Sequence, residues 1–270
     1  RLRAHSVRWR KEIIEMYMKK KTIIDKKNVV VTGGAGFIGS FLCEELVRDA
    51  NVICVDNFIS GSQQNIDHLL RLPNFIFIRH DLRTPLDLAQ FPELERFRVP
   101  FQGVQEIYHL AAPTSPKEFE QYRIETLEAH SLVMKHVLDL AKAHEARLVH
   151  ASSSVVYGAR PADKTPFAES YLGPVDFLSP RACYDEGKRF AETAIATYRD
   201  VHGIDARIAR IFRTYGPRMP IFHGHMIPDF MTDALDGKDL VIYGDASFST
   251  SLVYVTDVVE ALVKLMAVPQ

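Results

Sequence analysis

Short apolar runs alternate with longer segments of helical spacing along most of this chain. Residues 29–31, 51–56, 74–81, 105–112, 146–154 and 205–212 are rich in Val, Ile, Phe and Tyr, and predict six buried strands. Between them, 41–48, 118–144 and 185–202 carry apolar residues every three or four positions, the spacing of amphipathic helices. Strands alternating with helices predict an α/β fold with a doubly wound parallel sheet. Past residue 212 the pattern breaks at Gly216-Pro217, Pro220 and Pro228. A helix over 228–235, an extended piece over 240–244, a strand over 251–255 and a helix over 257–266 are expected there.

The junction of the first strand and first helix reads Thr32-Gly-Gly-Ala-Gly-Phe-Ile-Gly39. Glycines at 33, 36 and 39 suit a tight turn, a close approach of diphosphate to backbone, and close helix–strand packing. The free N–H groups at the helix start attract the negative charge. The second strand ends in Asp56, 23 residues beyond Gly33, where a carboxylate accepts hydrogen bonds from adenosine ribose hydroxyls and repels a 2′-phosphate. This favours NAD over NADP in a Rossmann-type domain. Asp81, at the end of the third strand, is either a partner for the adenine amine or a surface turn acid. Small residues after the fourth strand, around Leu110 and Ala111, let a cofactor lie against the backbone.

Composition narrows the class. At 270 residues the chain can hold one large domain with a smaller lobe. The net charge of −1 is uneven: residues 1–28 hold ten of the 33 Lys/Arg and three of the 34 Asp/Glu, so the remainder is acidic. A nucleic-acid-binding body is not indicated, and no apolar run approaches membrane-spanning length. Cys43, Cys54 and Cys183 are scattered, without metal spacing or a paired pattern, which suits a reducing cytoplasm. The division expected is a basic leader helix over 1–27, an NAD-binding domain over 28–212, and a lobe over 213–270 whose last strand and helix return to the core.

Candidate chemistry sits on the helix after the fifth strand. Tyr184 and Lys188, four residues apart, share a helix face. A neighbouring ammonium stabilises phenolate, so Tyr184 is expected to have a lowered pKa and to act as a general base. Tyr17 and Lys21 have the same spacing, but lack the strand ending Ala151-Ser-Ser-Ser154 that brings hydroxyls opposite. Ser153 is the candidate partner for a substrate hydroxyl, with Ser154 beside it.

These motifs, with Val55-Asp-Asn-Phe58, Arg79-His-Asp-Leu82, His109-Leu-Ala-Ala-Pro-Thr-Ser-Pro116, Ser152-Ser-Ser-Val-Val-Tyr-Gly158 and Arg210-Ile-Phe-Arg-Thr-Tyr-Gly-Pro-Arg-Met219, resemble the extended short-chain dehydrogenase/reductases that act on nucleotide sugars. Pro180 to Arg189 is most similar to the UDP-glucuronate decarboxylases, or UDP-xylose synthases. The resemblance implies an NAD site at Gly33, Gly36, Phe37, Ile38, Gly39, Asp56, Asn57, Asp81, Leu82, Leu110, Ala111, Thr126, Tyr184 and Lys188. It implies a UDP-sugar site at Ser153, Ser154, Arg213, Arg218 and Tyr243, with Arg213 and Arg218 either clamping a diphosphate or standing as surface arginines. It further implies a homodimer paired through helices 118–144 and 185–202, and a native chain some tens of residues longer.

Departures from that pattern bear on the reaction. Where the decarboxylases carry a glutamate in Ser-Thr-Ser-Glu-Val-Tyr-Gly this chain has Val155, and their Gln-Thr-Arg arginine is Thr250 here. His130 stands for a usual asparagine, Val133 for a glycine, Arg213 for an asparagine and His225 for an arginine. Two expectations therefore compete: decarboxylation of UDP-glucuronate to UDP-xylose, and 4-epimerisation of a UDP-sugar, for which Ser153, Tyr184, Lys188 and NAD suffice. An NAD-holding sensor without chemistry ranks third.

Overall fold

The computed structural model describes residues 26–159, 166–221, 223–242 and 250–269. Of the expected leader only Lys26 and Lys27 fall within them; Tyr17, Lys21 and the sugar-site candidate Tyr243 lie outside. Strands β1 (Asn28–Thr32), β2 (Asn51–Asp56), β3 (Phe75–Arg79), β4 (Glu106–His109), β5 (Arg147–Ser153) and β6 (Ala206–Ile211) form one sheet in the order β3-β2-β1-β4-β5-β6. Every adjacent pair is parallel. The helices are α1 (Phe37–Leu46), α2 (Val99–Gln102), α3 (Pro116–Gln121), α4 (Arg123–His130), α5 (Leu132–His144), α6 (Ala182–His202), α7 (Met226–Leu235) and α8 (Val255–Ala267). Two short strands, β7 (Arg213–Tyr215) and β8 (Leu252–Tyr254), pair in parallel.

Because side chains alternate along a strand, the unbroken apolar runs feed two core layers. Val30, Ile53, Ile107 and Leu148 pack with Met134 and Leu138 of α5 and Ile195 of α6. Val29, Val31, Val52 and Val149 pack with Leu42 and Cys43 of α1 and Val258, Leu262 and Met266 of α8. The strand order turns back between β1 and β4, so the connections leaving their carboxyl ends run to opposite sides of the sheet and leave a crevice where ligands bind in such sheets.

Three local expectations differ from the structure. Helix α1 starts at Phe37 rather than 41, which places Gly39 inside the helix. The helix expected over 118–144 is three helices. The first is set by a Ser115–Glu118 capping box, and the chain bends at Tyr122 (φ −122°, ψ 47°) and Ser131 (φ −113°, ψ −80°). The Ser131 hydroxyl donates to the Leu127 carbonyl oxygen at 2.8 Å, a local bond that competes with helix continuation. Leu240–Ile242 carry no strand.

Candidate active site

Gly33 leaves β1 with φ +72°, and its N–H donates to the Val55 carbonyl oxygen at 2.8 Å. A Cβ there would lie 2.7 Å from the Ala111 nitrogen, and one at Gly39 only 2.1 Å from the Gly33 oxygen. Neither position accepts a side chain. At Gly36 the nearest atom would be the Gly33 oxygen at 3.1 Å, a tight contact relieved by a shift of a few tenths of an ångström, so this position is less crowded than Gly33 or Gly39. Gly36 is the N-cap of α1 with no side-chain cap, which leaves the first-turn amides to the crevice. A turn that is closed to side chains and open to an anion fits the pyrophosphate of NAD.

The cleft over this turn encloses about 1050 Å³, at the upper end of the roughly 300–1,000 Å³ of ligand pockets. Gly33, Gly36, Phe37, Ile38, Gly39, Asp56, Asn57, Asp81, Leu82, Leu110 and Ala111 all line it. Asp56 Oδ2 accepts from the Ala35 amide at 3.0 Å and Oδ1 from the Phe58 amide at 2.8 Å. Burial pushes its pKa up against these bonds, and a carboxylate with about four acceptor positions retains capacity for ribose. The Asn57 amide donates to Asp81 at 3.3 Å, and Arg83 pairs with Asp81 at 2.8 Å, holding that carboxyl below its usual range. Thr126 is not in the cleft wall: it is fully buried on α4, and its hydroxyl has no partner among the described residues.

Helix α6 begins at Ala182, one turn earlier than expected, so Tyr184 and Lys188 both sit on it, buried and facing the cleft. The Tyr184 ring stacks on Phe119 at 4.4 Å between centroids, and Tyr184 and Ser153 line the cleft together. Lys188 Nζ donates to the Ala151 carbonyl oxygen at 2.6 Å and stands 5.8 Å from the Tyr184 ring centre. The expected lowering of the Tyr184 pKa is not what the environment gives. Burial raises it, opposed by the Ser153 hydroxyl and by Arg181. Burial also lowers Lys188 to about 7, so the ammonium itself is poorly held.

Behind this pair lies a floor of buried imidazoles. His109 Nδ1 meets Thr32 Oγ1 at 2.7 Å, its ring stacks on His150 at 5.3 Å, and His130 packs edge-on to Tyr184 at 5.6 Å. Burial, with Lys188 nearby, keeps all three neutral; His109 falls to about 3. Glu192 of α6 braces the strand ends, accepting from Ser152 at 2.6 Å and pairing with Arg210 at 2.7 Å.

On the sugar side, Ser153, Ser154 and Arg213 line the cleft, as do Val155 and Thr250. Arg218 does not. It is bound to Glu44, donates to Ser40 Oγ at 3.2 Å and covers the Phe41 ring at 4.3 Å. The carboxylate on α1 holds this guanidinium, so of the two readings left open for Arg218 the surface arginine is the one this structure matches. Sequence reasoning overlooked Arg181 and Phe119, both in the wall. Arg181, three residues before Tyr184, was readable from the same helical spacing that paired Tyr184 with Lys188. Phe119 had no such signal, because its stacking depends on where α3 ends.

Comparison with known proteins agrees with this geometry. Residues 29–270 match the model of the NAD dependent epimerase/dehydratase family. UDP-glucuronic acid decarboxylase 1 of Xenopus tropicalis is 41% identical over 243 residues, 90% of this chain and 54% of its own length. UDP-glucuronic acid decarboxylase 4 of Arabidopsis thaliana is 41% identical over 254 residues, 94% of this chain and 53% of its own. The chain thus spans about half the length of these curated relatives. Among solved structures, UDP-glucuronic acid 4-epimerase from Bacillus cereus, in complex with UDP-glucuronic acid and NAD, superposes with a TM-score of 0.75 at 27% identity, covering 90% of this chain and 74% of that one. The chain belongs to the NAD dependent epimerase/dehydratase family.

Proposed function

We propose that this family member holds NAD and oxidises C4 of a UDP-sugar, and that it most resembles, in reaction, a UDP-glucuronate decarboxylase giving UDP-xylose. The observation that carries the reading is that Ser153, Tyr184 and Lys188 line one cleft with the glycine cradle. NAD bound there would take up hydride from C4 and return it. Tyr184 accepts the proton of the C4 hydroxyl, and Ser153 fixes that hydroxyl's direction. Burial of Tyr184 and Lys188 keeps water from the reacting oxygen. On a glucuronate ring the C4 ketone lies β to the carboxylate, so carbon dioxide can leave with its bonding electrons passing into a C4 enolate; a proton from water at C5, return of the hydride to C4 and return of the Tyr184 proton to O4 then give the pentose.

A 4-epimerase is the second reading, and Val155 and Thr250 support it. Both stand in the cleft wall where the decarboxylases carry an acid and a cation, and neither can move a proton or balance a carboxylate. Incubation with UDP-glucuronate separates the two readings. Carbon dioxide with a UDP-pentose supports the first; UDP-galacturonate without carbon dioxide replaces it with the second.

We further propose a cytoplasmic homodimer. Ile124, Leu127, Leu132 and Phe190 on neighbouring helices α4, α5 and α6 are exposed apolar side chains, suited to cover a second copy. Sedimentation at micromolar concentration would show a single species of twice the chain mass. Among the described residues no helix is long and apolar enough to cross a membrane.

A further inference from the structure

Asp81, two residues past β3, is the carboxylate that an adenine amine would meet if the cofactor lies along the strand ends from its glycine cradle. A carboxylate offers about four acceptor positions, and here four donors already reach them. Oδ1 accepts from the Arg83 amide at 3.0 Å, and Oδ2 from Arg83 Nη2 at 2.8 Å and the Asn57 side-chain amide at 3.3 Å. Arg83 Nε lies between the two oxygens, at 3.1 and 3.0 Å. Neighbouring oxygens are engaged too. Asn57 Oδ1 accepts from the Ile59 amide at 2.9 Å, and the Asp81 carbonyl oxygen from the Thr84 amide and hydroxyl at 3.0 Å each. The Leu82 carbonyl oxygen accepts from His136 Nδ1 at 2.8 Å.

Arg83 itself lines the cleft, and its Nη1 also reaches Glu128 on α4 at 3.4 Å. Carboxylates on both sides thus hold the guanidinium, which keeps N–H groups on Nη1 and Nη2 and has no acceptor to offer. Leu82, Ala129 and Val133 give this stretch of wall an apolar lining, and the His136 bond sets α5 against Leu82 one turn beyond Val133.

We propose, resting on NAD occupying this cleft, that Arg83 takes the Asp81 carboxylate out of base recognition. The cleft then does not read the 6-amino group of adenine, and accepts a 6-oxo purine dinucleotide equally well. An adenine amine is a donor and needs an acceptor that this wall has already filled. A 6-oxo group is an acceptor, and the remaining guanidinium N–H groups can donate to it or to a purine N7. The base is held by its faces against the apolar wall, a contact open to any purine.

Calorimetric titration of the full chain, freed of NAD, with NAD and with nicotinamide hypoxanthine dinucleotide tests this, since the two ligands differ only in the base. The unaltered protein should bind the hypoxanthine ligand within about threefold of NAD, or more tightly. Arg83→Met frees Asp81 and should create a preference for NAD of about tenfold or more, the scale of a charge-assisted hydrogen bond. Adding Asp81→Ala to Arg83→Met should abolish that preference, and Arg83→Lys should create less of it. Melting temperatures report whether each variant is folded. A larger preference for NAD in the unaltered protein overturns the proposal, whether Asp81 or another wall acceptor such as Glu125 supplies it. So does an Arg83→Met variant that binds both ligands alike, because the arginine is then not what occupies the carboxylate. Absence of binding by either dinucleotide overturns the NAD site itself.

Discussion

The buried ammonium of Lys188 donates to the carbonyl oxygen of Ala151 at 2.6 Å, two residues before Ser153 on the same strand. Lys188 thus ties α6 to the end of β5, and sets the spacing at which Tyr184 meets Ser153. Its cost is electrostatic: burial lowers its pKa from 10.5 to about 7.

That shift has a signed consequence for stability. Between pH 7 and 10.5 the unfolded chain binds a proton at this lysine that the folded chain does not. This contribution therefore rises with pH across the window and is lost as pH falls towards 7, at up to about 1.4 kcal/mol per pH unit. Urea denaturation of Lys188→Met against the unaltered protein should show the slope only in the latter.

The imidazole floor predicts acid sensitivity. His109, His130 and His150 are all held below their ordinary 6.5. The folded state then binds fewer protons than the unfolded state below that pH, and stability falls as pH drops through 6.5. His130→Asn should remove one proton from the dependence, seen as a shallower loss of melting temperature between about pH 6.5 and 5.

The hydroxyl pair predicts a division of roles. Tyr184→Phe should lower turnover by at least about 100-fold, and Ser153→Ala by about 10- to 100-fold, the range for losing a positioned acid–base group or its partner. Circular dichroism of both variants should match the parent, because neither change opens a large cavity.

Much of this was legible in the sequence. The strand positions follow from unbroken apolar runs, the glycine turn from its three-residue spacing, and the Tyr184–Lys188 face from the near-four helical period. The breaks at Tyr122 and Ser131 in the helix expected over 118–144 carry no Pro or Gly to mark them; at Ser131 the hydroxyl bonds back to the Leu127 carbonyl oxygen instead. The motif leaves Arg218 either in the cleft or on the surface, and Glu44, 174 residues away in sequence, decides between them by holding it. The direction of the Tyr184 shift was also missed, because spacing reports proximity to Lys188 but not the loss of water around both groups.

Arg218→Ala follows from that placement of Arg218. Its pair with Glu44 is partly exposed, so its loss should cost no more than about 1 kcal/mol in stability. UDP-sugar affinity should change less than about twofold, one-tenth or less of the effect on a charge-assisted ligand contact.

The cradle separates fold from cofactor. Gly39→Ala drives a methyl group to 2.1 Å from the Gly33 oxygen and should cost about 1–3 kcal/mol or more in the NAD-free protein. Gly36→Ala meets its nearest atom at 3.1 Å and should lower the NAD-free melting temperature by less than Gly39→Ala does, and by only a few degrees, at roughly 2–4 °C per kcal/mol for a domain this size. Its NAD affinity should fall by about tenfold or more, measured by fluorescence titration.

C4 oxidation is tested most directly by mixing NAD-loaded protein with UDP-glucuronate and following the NADH absorbance band in a stopped-flow cell. A transient rise that decays as product forms, and that Tyr184→Phe abolishes, is the predicted result. A flat trace in the unaltered protein, or an undiminished rise in the Tyr184→Phe variant, would contradict the assignment of the phenol as base.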